Sequence, residues 1–586
     1  MGDIKLSTEG SDLPSPASTP PAPRSNKPFL ALLSLFGVLA LLSQSSIPLP
    51  KFFSSASCRN HAHSATALAA LEAAKCPAQP KSINIGTDWD ILHDEAYAEL
   101  AARRLSQAVQ HETISYDDFT TMPANDTALD KHYVFADWMY NEYPKVFKTL
   151  KHEVVNYHGQ LLTWEGSNPA LQPIILMAHT DVVPVPEDTI GQWTYPPFEG
   201  RIVVNATEDT PGTWIWGRGA SDCKNQLMGI LGAAERLVTE GFKPERTIII
   251  ASGFDEEIGG AHGAGELGKV LQSRYGDNSV AFLLDEGFDG VSQQYGAQVA
   301  SFGMAEKGAI TAVQIKVETP GGHSSVPPKH TGIGIMSLLI SQLESHPFHP
   351  SLQPESPYLK WLTCMSDYAP DFPAGMKRQV KHPRMWPKLA HQLARSDRRL
   401  NSFLATTQAA DLIRGGVKVN ALPEVVEAKV NYRIAFTSSV NATLKHLTDV
   451  LIPFTKKLDF TISPFTDPPN GKKSAHHITL SIGDAHPLEP APITPGDTEA
   501  FKLMAGTAKH IFGEETIVAP SGMYANTDTR WFWNLTKNIY RFTPALINPN
   551  FNVHTVDEKM PLSGHLNTTR FIYKLIRNSE GWNTDE

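Results

Sequence analysis

Three short, largely apolar runs constrain the fold of this chain more than any other feature of its sequence. They occupy residues 173–178, 246–251 and 280–284. Each run is too short for a typical helix and lacks polar alternation, which is characteristic of strands buried on both faces of a parallel sheet. Between the first two runs, an amphipathic pattern that begins at Lys224 and is stopped by Gly241 predicts a helix. The sequence therefore predicts an α/β fold.

A histidine and several acidic residues follow these runs. A segment at 214–216 also leads into such a residue just before the predicted helix. In open α/β sheets the carboxyl ends of the strands form the ligand crevice, so these side chains are expected to meet at one edge. The residues are His179 and Asp181 after the first run, Asp222 after the 214–216 segment, Glu256 and Glu257 after the second run, and Asp285 after the third.

Such a cluster of carboxylates and a histidine predicts a metal site. Taken singly, each aspartate would be a turn or helix-cap residue, and the glutamate pair would be solvated. Converging carboxylates repel one another and are costly to desolvate unless a cation is present. Imidazole and carboxylate ligands suit zinc and related ions. Because there are more candidate ligands than one tetrahedral ion takes, the sequence predicts two metal ions that share a bridging carboxylate.

Six motifs connect the chain with a known family. In order, they lie at 177–184 (MAHTDVVP), 216–224 (WGRGASDCK), 253–259 (GFDEEIG), 284–287 (LDEG), 319–324 (TPGGHS) and 553–558 (VHTVDE). Together they resemble the M20 metallopeptidases, and most closely the vacuolar carboxypeptidase S branch of fungi. The secreted N-acyl amino acid hydrolases are a near second. The resemblance extends from about residue 95 to the C-terminus.

The resemblance implies a role for each site residue. The implied ligands of two zinc ions are His179 and Asp285 for one, Glu257 and His554 for the other, and Asp222 between both. Asp181 would orient His179 from behind, as partners of metal-bound histidines commonly do. Glu256 would be the general base that takes a proton from the attacking water and passes it to the leaving nitrogen. Cys223 stands where a ligand could be suspected, but we interpret it as a small packed residue.

The chain changes character between the metal-site motifs, from about residue 308 to 485. Strand patterns at 311–317, 417–421, 425–434 and 460–463, with helical patterns at 332–344 and 439–458, predict a βαββαβ unit. The resemblance implies a lid domain at 308–485, inserted into a zinc-exopeptidase-like α/β/α catalytic domain formed by 96–307 and 486–586. The segment at about 350–410 is additional to the βαββαβ unit, and we interpret it as a helical insertion.

Three residues of the predicted lid match family positions. The resemblance implies that His323 polarises the scissile carbonyl, and that Asn420 and Arg433 bind the α-carboxylate of the substrate, a task for which a guanidinium is well shaped. Asn420 and Arg433 are predicted on two successive strands that pair. Without the family resemblance, Asn420 would be interpreted as a turn residue and Arg433 as a solvated strand residue. A single lid further implies a homodimer in which His323 acts on the partner chain. The adjacent His476 and His477 are predicted to be surface residues.

The N-terminus has the pattern of a membrane anchor. Residues 1–28 form a Ser/Pro/Ala-rich, disordered cytosolic tail. Residues 29–47 are apolar, and 19 helical residues span about 28 Å, which favours a transmembrane signal-anchor. A cleaved signal peptide is the alternative. Residues 48–95 are then a lumenal stalk, in which Cys58 and Cys76 either pair or remain free.

Five glycosylation sequons favour a lumenal C-terminal region, because all of them follow the apolar segment. The acceptor residues are Asn125, Asn205, Asn441, Asn534 and Asn567. This arrangement predicts a single-pass type II protein, and the family resemblance places it in the vacuolar membrane. The net charge of −10 gives no indication of a nucleic-acid partner.

The sequence thus predicts a dizinc carboxypeptidase that acts on small peptides in a degradative lumen. An N-acyl amino acid hydrolase that uses the same site is the nearest alternative. A catalytically dead, membrane-anchored receptor module is an alternative of another class. All five predicted ligands are present, which favours an enzyme.

Overall fold

A computed structural model describes residues 66–582, apart from 207–210, 288–289, 468–474, 484–486 and 548. The predicted tail, the predicted anchor at 29–47 and the first part of the predicted stalk, with Cys58, lie outside the described residues. Within the part of the chain that is described, no helix is both long and apolar enough to span a membrane.

The described chain alternates strands and helices. The strands are β1 (Lys151–Val155), β2 (Gly159–Trp164), β3 (Ile174–Met177), β4 (Arg201–Ala206), β5 (Pro211–Trp216), β6 (Ile248–Ser252), β7 (Phe282–Asp285), β8 (Val291–Gln294), β9 (Ala297–Glu306), β10 (Gly308–Glu318), β11 (Gly322–His323), β12 (Thr407–Gly415), β13 (Ala421–Leu422), β14 (Val425–Ile434), β15 (Thr461–Pro464), β16 (His477–Ile482), β17 (Ile517–Met523), β18 (Ile539–Arg541) and β19 (Lys559–Pro561). The helices are α1 (66–73), α2 (Glu95–Val109), α3 (Asp130–Glu142), α4 (Pro144–Thr149), α5 (Lys224–Thr239), α6 (Ala264–Tyr275), α7 (Gly332–Glu344), α8 (Pro357–Tyr368), α9 (Ala374–Val380), α10 (Trp386–Ser396), α11 (Arg398–Leu404), α12 (Val440–Lys457), α13 (Glu499–Phe512) and α14 (Leu562–Asn578).

A nine-stranded mixed sheet forms the centre of the fold, in the order β1-β2-β6-β3-β7-β18-β9-β17, with β8 paired to β9. The three apolar runs are confirmed as strands β3, β6 and β7, and they lie side by side and parallel. The pairs β7–β18 and β9–β17 are also parallel, whereas β1–β2, β2–β6, β9–β18 and β8–β9 are antiparallel, so the sheet is mixed rather than wholly parallel. The carboxyl ends of β3, β6 and β7 therefore meet at one edge.

Residues of β3 alternate between two apolar cores, which explains why this strand has no polar alternation. Ile174 and Leu176 contribute to the core on the side of α5, α13 and α14. Ile175 and Met177 contribute to the core on the side of α6. A strand buried on both faces must be apolar at every position, and the sheet is accordingly covered by helices on both sides.

A second sheet of five strands, in the order β12-β14-β10-β16-β15, has its own apolar core with α7 and α12. The predicted four-stranded βαββαβ plan is therefore wrong, because it misses both β12 and β16. The strand predicted at 417–421 is also wrong. Val417 and Val419 suggested it, but both are fully exposed (102% and 99%) beyond the glycines at the end of β12. Asn420 lies in a turn, and His477, predicted at the surface, is buried at the start of β16.

The helical insertion consists of α8–α11 and packs on the edge of the central sheet. Its apolar residues form a core together with residues of β9 and β17. Cys364 of α8 is bonded to Cys76 in a disulfide. Both predicted states of Cys76, paired with Cys58 or free, are therefore wrong. The two cysteines meet because α1 and the chain that follows it pack against this insertion.

The end of the predicted stalk is part of the globular body rather than a spacer. Trp89 and Ile91 are buried, at 4% and 0% exposure, in the larger core beside α2 and α14. Ile83 donates a backbone hydrogen bond to Gly506 of α13. The stalk prediction is therefore wrong for the described residues before 95.

Candidate metal centre

His179, directly after β3, lies at the centre of the polar cluster. Its Nε2 lies 3.2 Å from Asp222 Oδ1, 3.2 Å from Glu286 Oε1 and 3.9 Å from Glu256 Oε2. The side chain is 1% exposed. Burial alone would lower the pKa of His179, but the surrounding anionic groups outweigh it and raise that pKa well above its ordinary value. The surroundings of this imidazole thus favour positive charge.

Asp222 joins two histidines through its two carboxylate oxygens. While Oδ1 faces His179, Oδ2 lies 3.0 Å from Nε2 of His554. The same nitrogen of His554 lies 3.2 Å from Oε2 of Glu257. Asp222 reaches this position from the loop after β5, which belongs to a separate three-stranded sheet with β4 and β19. One carboxylate between two histidines has the arrangement of a bridging ligand.

Asp181 lies behind His179 and holds the loop that carries the glutamate pair. Its Oδ1 is 3.3 Å from Nδ1 of His179. Its two oxygens also accept backbone hydrogen bonds from Glu256 and Glu257, each at 3.1 Å. Asp181 is completely buried. The backbone oxygen of Asp181 lies closer still to Nδ1 of His179, at 3.0 Å. Asp181 therefore fixes the histidine through both its backbone oxygen and its side chain, and its carboxylate also fixes the first turn after β6.

The acidic groups of the cluster destabilise one another. Burial, reinforced by Glu286 and Glu257, raises the pKa of Glu256 well above its ordinary value. Burial and Asp222 raise the pKa of Glu257 to about 7. Burial also raises the pKa of Asp285, to about 6. A cation among these groups would relieve their mutual repulsion.

The donor set fits metal ions. Oε1 of Glu257 and Oδ2 of Asp285 are buried and have no hydrogen-bond partner among the described residues. Orphaned carboxylate oxygens of this kind are rare unless an ion or water satisfies them. Three sets of potential ligand atoms lie within 4.8 Å of one another: His179, Asp222, Cys223 and Glu286; His179, Glu256 and Glu257; and Asp222, Glu257 and His554.

Glu286 is a site residue that the sequence reasoning missed. The structure places its carboxylate beside His179, whereas Asp285, the predicted ligand, is absent from the three ligand sets found among the described residues. Asp285 and Glu286 are adjacent carboxylates at the end of β7, so their position after an apolar run does not indicate which of them lies beside His179. Asp285 is nevertheless electrostatically coupled to both His179 and Glu286.

Glu558 was also missed, although it ends the last of the six motifs. Its Oε1 accepts backbone hydrogen bonds from Gly219, Ser221 and Asp222 at 3.0–3.2 Å. Its other oxygen pairs with the buried guanidinium of Arg218. Glu558 thus holds the loop that carries Asp222.

Cys223 is buried beside the cluster, as the sequence predicts for a packed residue. Its Sγ accepts a hydrogen bond from the backbone N–H of His179 at 3.2 Å. Burial raises the pKa of its thiol well above the usual range, which opposes the thiolate form that binds metals.

A cavity of about 1900 Å³ opens onto the cluster. Arg433 lines it, and its Nη1 donates to Oδ1 of Asn526 at 2.9 Å. His323 and Asn420 are exposed on or beside the β11–β13 pair and are not among the described residues that line this cavity. Within this chain, the structure therefore brings Arg433 to the site, but not the other two predicted substrate-binding residues.

The predicted glycosylation sites lie mostly at the surface. Asn125, Asn441 and Asn534 are exposed, whereas Asn567 is half-buried within α14. Asn205 lies in β4, and its side chain is outside the described part of the chain.

The α/β/α fold and the histidine–carboxylate cluster at the ends of its strands define the class as a metallohydrolase. The model of peptidase family M20/M25/M40 matches residues 175–578, so this chain belongs to that family of metallopeptidases.

Curated relatives agree with this assignment. Carboxypeptidase S of Saccharomyces cerevisiae is 37% identical over 508 residues, covering 83% of this chain and 85% of the relative. The N-fatty-acyl-amino acid synthase/hydrolase PM20D1 of Bos taurus is 34% identical, covering 82% and 88%. The chain is therefore similar over most of its length to relatives that are named for two different activities.

Solved structures share the fold. Human carnosine dipeptidase 1 matches with a TM-score of 0.56 at 13% identity, covering 83% of this chain and 97% of that one. The M20 family metallo-carboxypeptidase Sso-CP2 from Sulfolobus solfataricus matches with a TM-score of 0.53 at 16% identity, covering 81% and 98%.

Proposed function

We propose that this protein is a dizinc carboxypeptidase that hydrolyses the C-terminal peptide bond of small peptides. The observation that carries the proposal is the position of Asp222, whose two oxygens face His179 and His554. In the proposed site, His179 and Asp285 would hold one zinc ion, Glu257 and His554 would hold the other, and Asp222 would be shared by both. Glu286, next to His179, is an additional candidate ligand.

The remaining residues provide the acid–base chemistry. When bound, the zinc pair supplies a Lewis acid for the scissile carbonyl and makes water acidic enough to attack near neutral pH. Glu256 accepts the proton of the attacking water and delivers it to the leaving nitrogen. Asp181 keeps His179 in the orientation that points Nε2 into the site.

Arg433 is proposed to bind the free α-carboxylate of the substrate. It lies in the wall of the cavity that contains Glu256 and Glu257, and its guanidinium is oriented by Asn526. A planar guanidinium binds a carboxylate through two parallel hydrogen bonds. This residue makes the site suited to removing the last residue of a chain.

An N-acyl amino acid hydrolase is the second candidate function. The similarity to a fatty-acyl-amino acid synthase/hydrolase favours it. Such a substrate also carries a free α-carboxylate next to an amide, so Arg433 and Glu256 would serve it equally. A blocked dipeptide and a long-chain acyl amino acid, assayed side by side, distinguish the two functions.

A homodimer would explain why His323 is remote from its own cavity. The strand β12 forms an edge of the second sheet. Residues 411–421, which comprise the second half of β12 and the turn after it, are exposed throughout. Unpaired sheet edges are places where another chain can add. In the proposed dimer this region contacts a second copy, and His323 and Asn420 act in the site of the partner subunit.

Two features support a lumenal location. The disulfide between Cys76 and Cys364 is expected in an oxidising compartment. Exposed sequons at Asn125, Asn441 and Asn534 are accessible for glycosylation. We therefore propose that residues 29–47 anchor the chain as a type II protein, with the catalytic region in the lumen of the vacuole.

The experiment that tests the proposed function compares each peptide with its C-terminal amide. The wild type should cleave the free acid far better. Arg433→Ala should lose about 10- to 150-fold in kcat/KM for the free acid, as expected for about 1.5–3 kcal/mol from a hydrogen bond to a charged group. Equal cleavage of acid and amide by the wild type would contradict the carboxypeptidase function.

A further inference from the structure

The helical insertion contributes two arginines to the active-site cavity. Arg398 and Arg399, at the start of α11, line the same cavity as Glu256 and Arg433. Both side chains are exposed. Neither guanidinium has an acidic partner among the described residues. These two cations are therefore available to a molecule that enters the cavity.

Strand β14 contributes a row of polar side chains to the same cavity. Lys429, Asn431 and Arg433 line it, while the residues between them, Val430 and Tyr432, are buried in the core of the second sheet. Alternate residues of a strand point to the same face and are about 6.6–6.8 Å apart. Lys429 therefore lies about 13 Å along the strand from Arg433, beyond the place where the α-carboxylate would bind.

The cavity wall outside the metal centre is basic, although the whole chain carries a net charge of −10. Cations outnumber anions there, and a cleft lined by one sign of charge concentrates ligands of the opposite sign. The basic residues are Arg398, Arg399, Lys429, Arg433 and Arg530, and the acidic ones are Asp117 and Asp411.

The insertion that carries these arginines is firmly attached. Its first helix, α8, shares an apolar core with β17 and β9, and the disulfide between Cys76 and Cys364 joins it to the chain after α1. Arg398 and Arg399 thus belong to a packed and cross-linked insertion rather than to an isolated loop. Fixed positions reduce the ordering cost of binding.

We propose that Arg398, Arg399 and Lys429 form a second anion-binding region, which selects substrates that carry a carboxylate in addition to the terminal one. The substrate class is a small peptide with a glutamate or aspartate side chain next to the scissile bond. The inference rests on the proposed function, because it assumes that Arg433 holds the α-carboxylate. Exposed charge pairs are individually weak, so we expect a preference of about two- to fivefold per contact.

The test uses matched pairs of blocked dipeptides that differ only by Glu or Gln, placed at the terminal or the penultimate position. The wild type should have a several-fold higher kcat/KM for the Glu member of at least one pair at low salt. Added salt should reduce this preference, since exposed charges are screened. The double variant Arg398→Gln/Arg399→Gln and the variant Lys429→Gln should each lower this preference, because the rate on the Glu peptide should fall more than the rate on the Gln peptide.

Arg395→Gln is the matched control, because Arg395 is an exposed arginine of the same insertion that does not line the cavity. It should keep the preference of the wild type. Equal rates of the wild type on Glu and Gln peptides would overturn the inference and leave the proposed function intact. A preference that survives both variants would overturn it as well. Failure of the wild type to cleave any of the peptides would contradict the proposed function instead.

Discussion

Oδ1 of Asp181 accepts the backbone hydrogen bond of Glu256 at 3.1 Å, so the residue behind the histidine also positions the proposed general base. The sequence predicts only the first of these two tasks. The second follows from the sharp turn after β6, which directs two successive N–H groups toward the same carboxylate. The orientation of His179 and the position of Glu256 therefore both depend on Asp181.

Asp181→Asn should impair the site without removing any ligand. An amide presents an NH₂ group where one oxygen now accepts an N–H, so one of the two backbone hydrogen bonds is lost. We expect a loss of about 10- to 100-fold in metal affinity or activity, as for other partners of metal-bound histidines. Asp137→Asn, an exposed aspartate of α3, is the control. Unchanged metal affinity and activity would show that Asp181 has no such role.

Glu256→Gln should separate catalysis from metal binding. The amide keeps the shape of the side chain but cannot accept the proton, so kcat should fall by a factor of about 10² to 10⁴. Kinetic assays and metal analysis of the same sample measure the two effects. A variant that loses metal would instead make Glu256 a ligand and reverse the roles of Glu256 and Glu257.

Glu558→Gln should destabilise the fold and weaken the metal centre together. The substitution leaves the buried Arg218 without its anionic partner, which costs about 3–5 kcal/mol in comparable buried pairs. Thermal unfolding and metal titration measure the two effects. Glu72→Gln, which breaks an exposed pair with Lys75, should change Tm little. Equal Tm values for the two variants would exclude the proposed role of Glu558.

Mixing two inactive variants tests whether His323 acts across a dimer. In a mixed dimer of His323→Ala and Glu256→Ala chains, one site combines an intact Glu256 with an intact His323 from the partner. Activity should therefore return after subunit exchange. If exchange is demonstrated and the mixture stays inactive, His323 does not act in trans.

The sequence predicted the parts of the fold in which local pattern and burial agree. Strands β3, β6 and β7 are apolar at nearly every position because both faces are covered, and their ends must then meet. Strand β12 was missed because its residues 407–415 are mostly exposed and show no alternation. The β-branched Val417 and Val419 gave a false signal just beyond it.

Long-range packing determined what the sequence left open. The disulfide joins Cys76 and Cys364 across 288 residues, and nothing near either cysteine indicates the other. The place of Arg398 in the cavity depends on how the insertion docks onto β17. The choice between Asp285 and Glu286 at His179 depends on the direction of the chain at the end of β7, which a pattern of adjacent carboxylates does not specify.

Metal analysis of the purified protein, combined with an assay after chelation, tests whether the protein is a dizinc enzyme. We predict about two zinc ions per chain, loss of activity when they are removed, and recovery when zinc is restored. Asp222→Asn should lower the content of both ions, since Asp222 faces both histidines. Full activity in a metal-free sample would contradict the account.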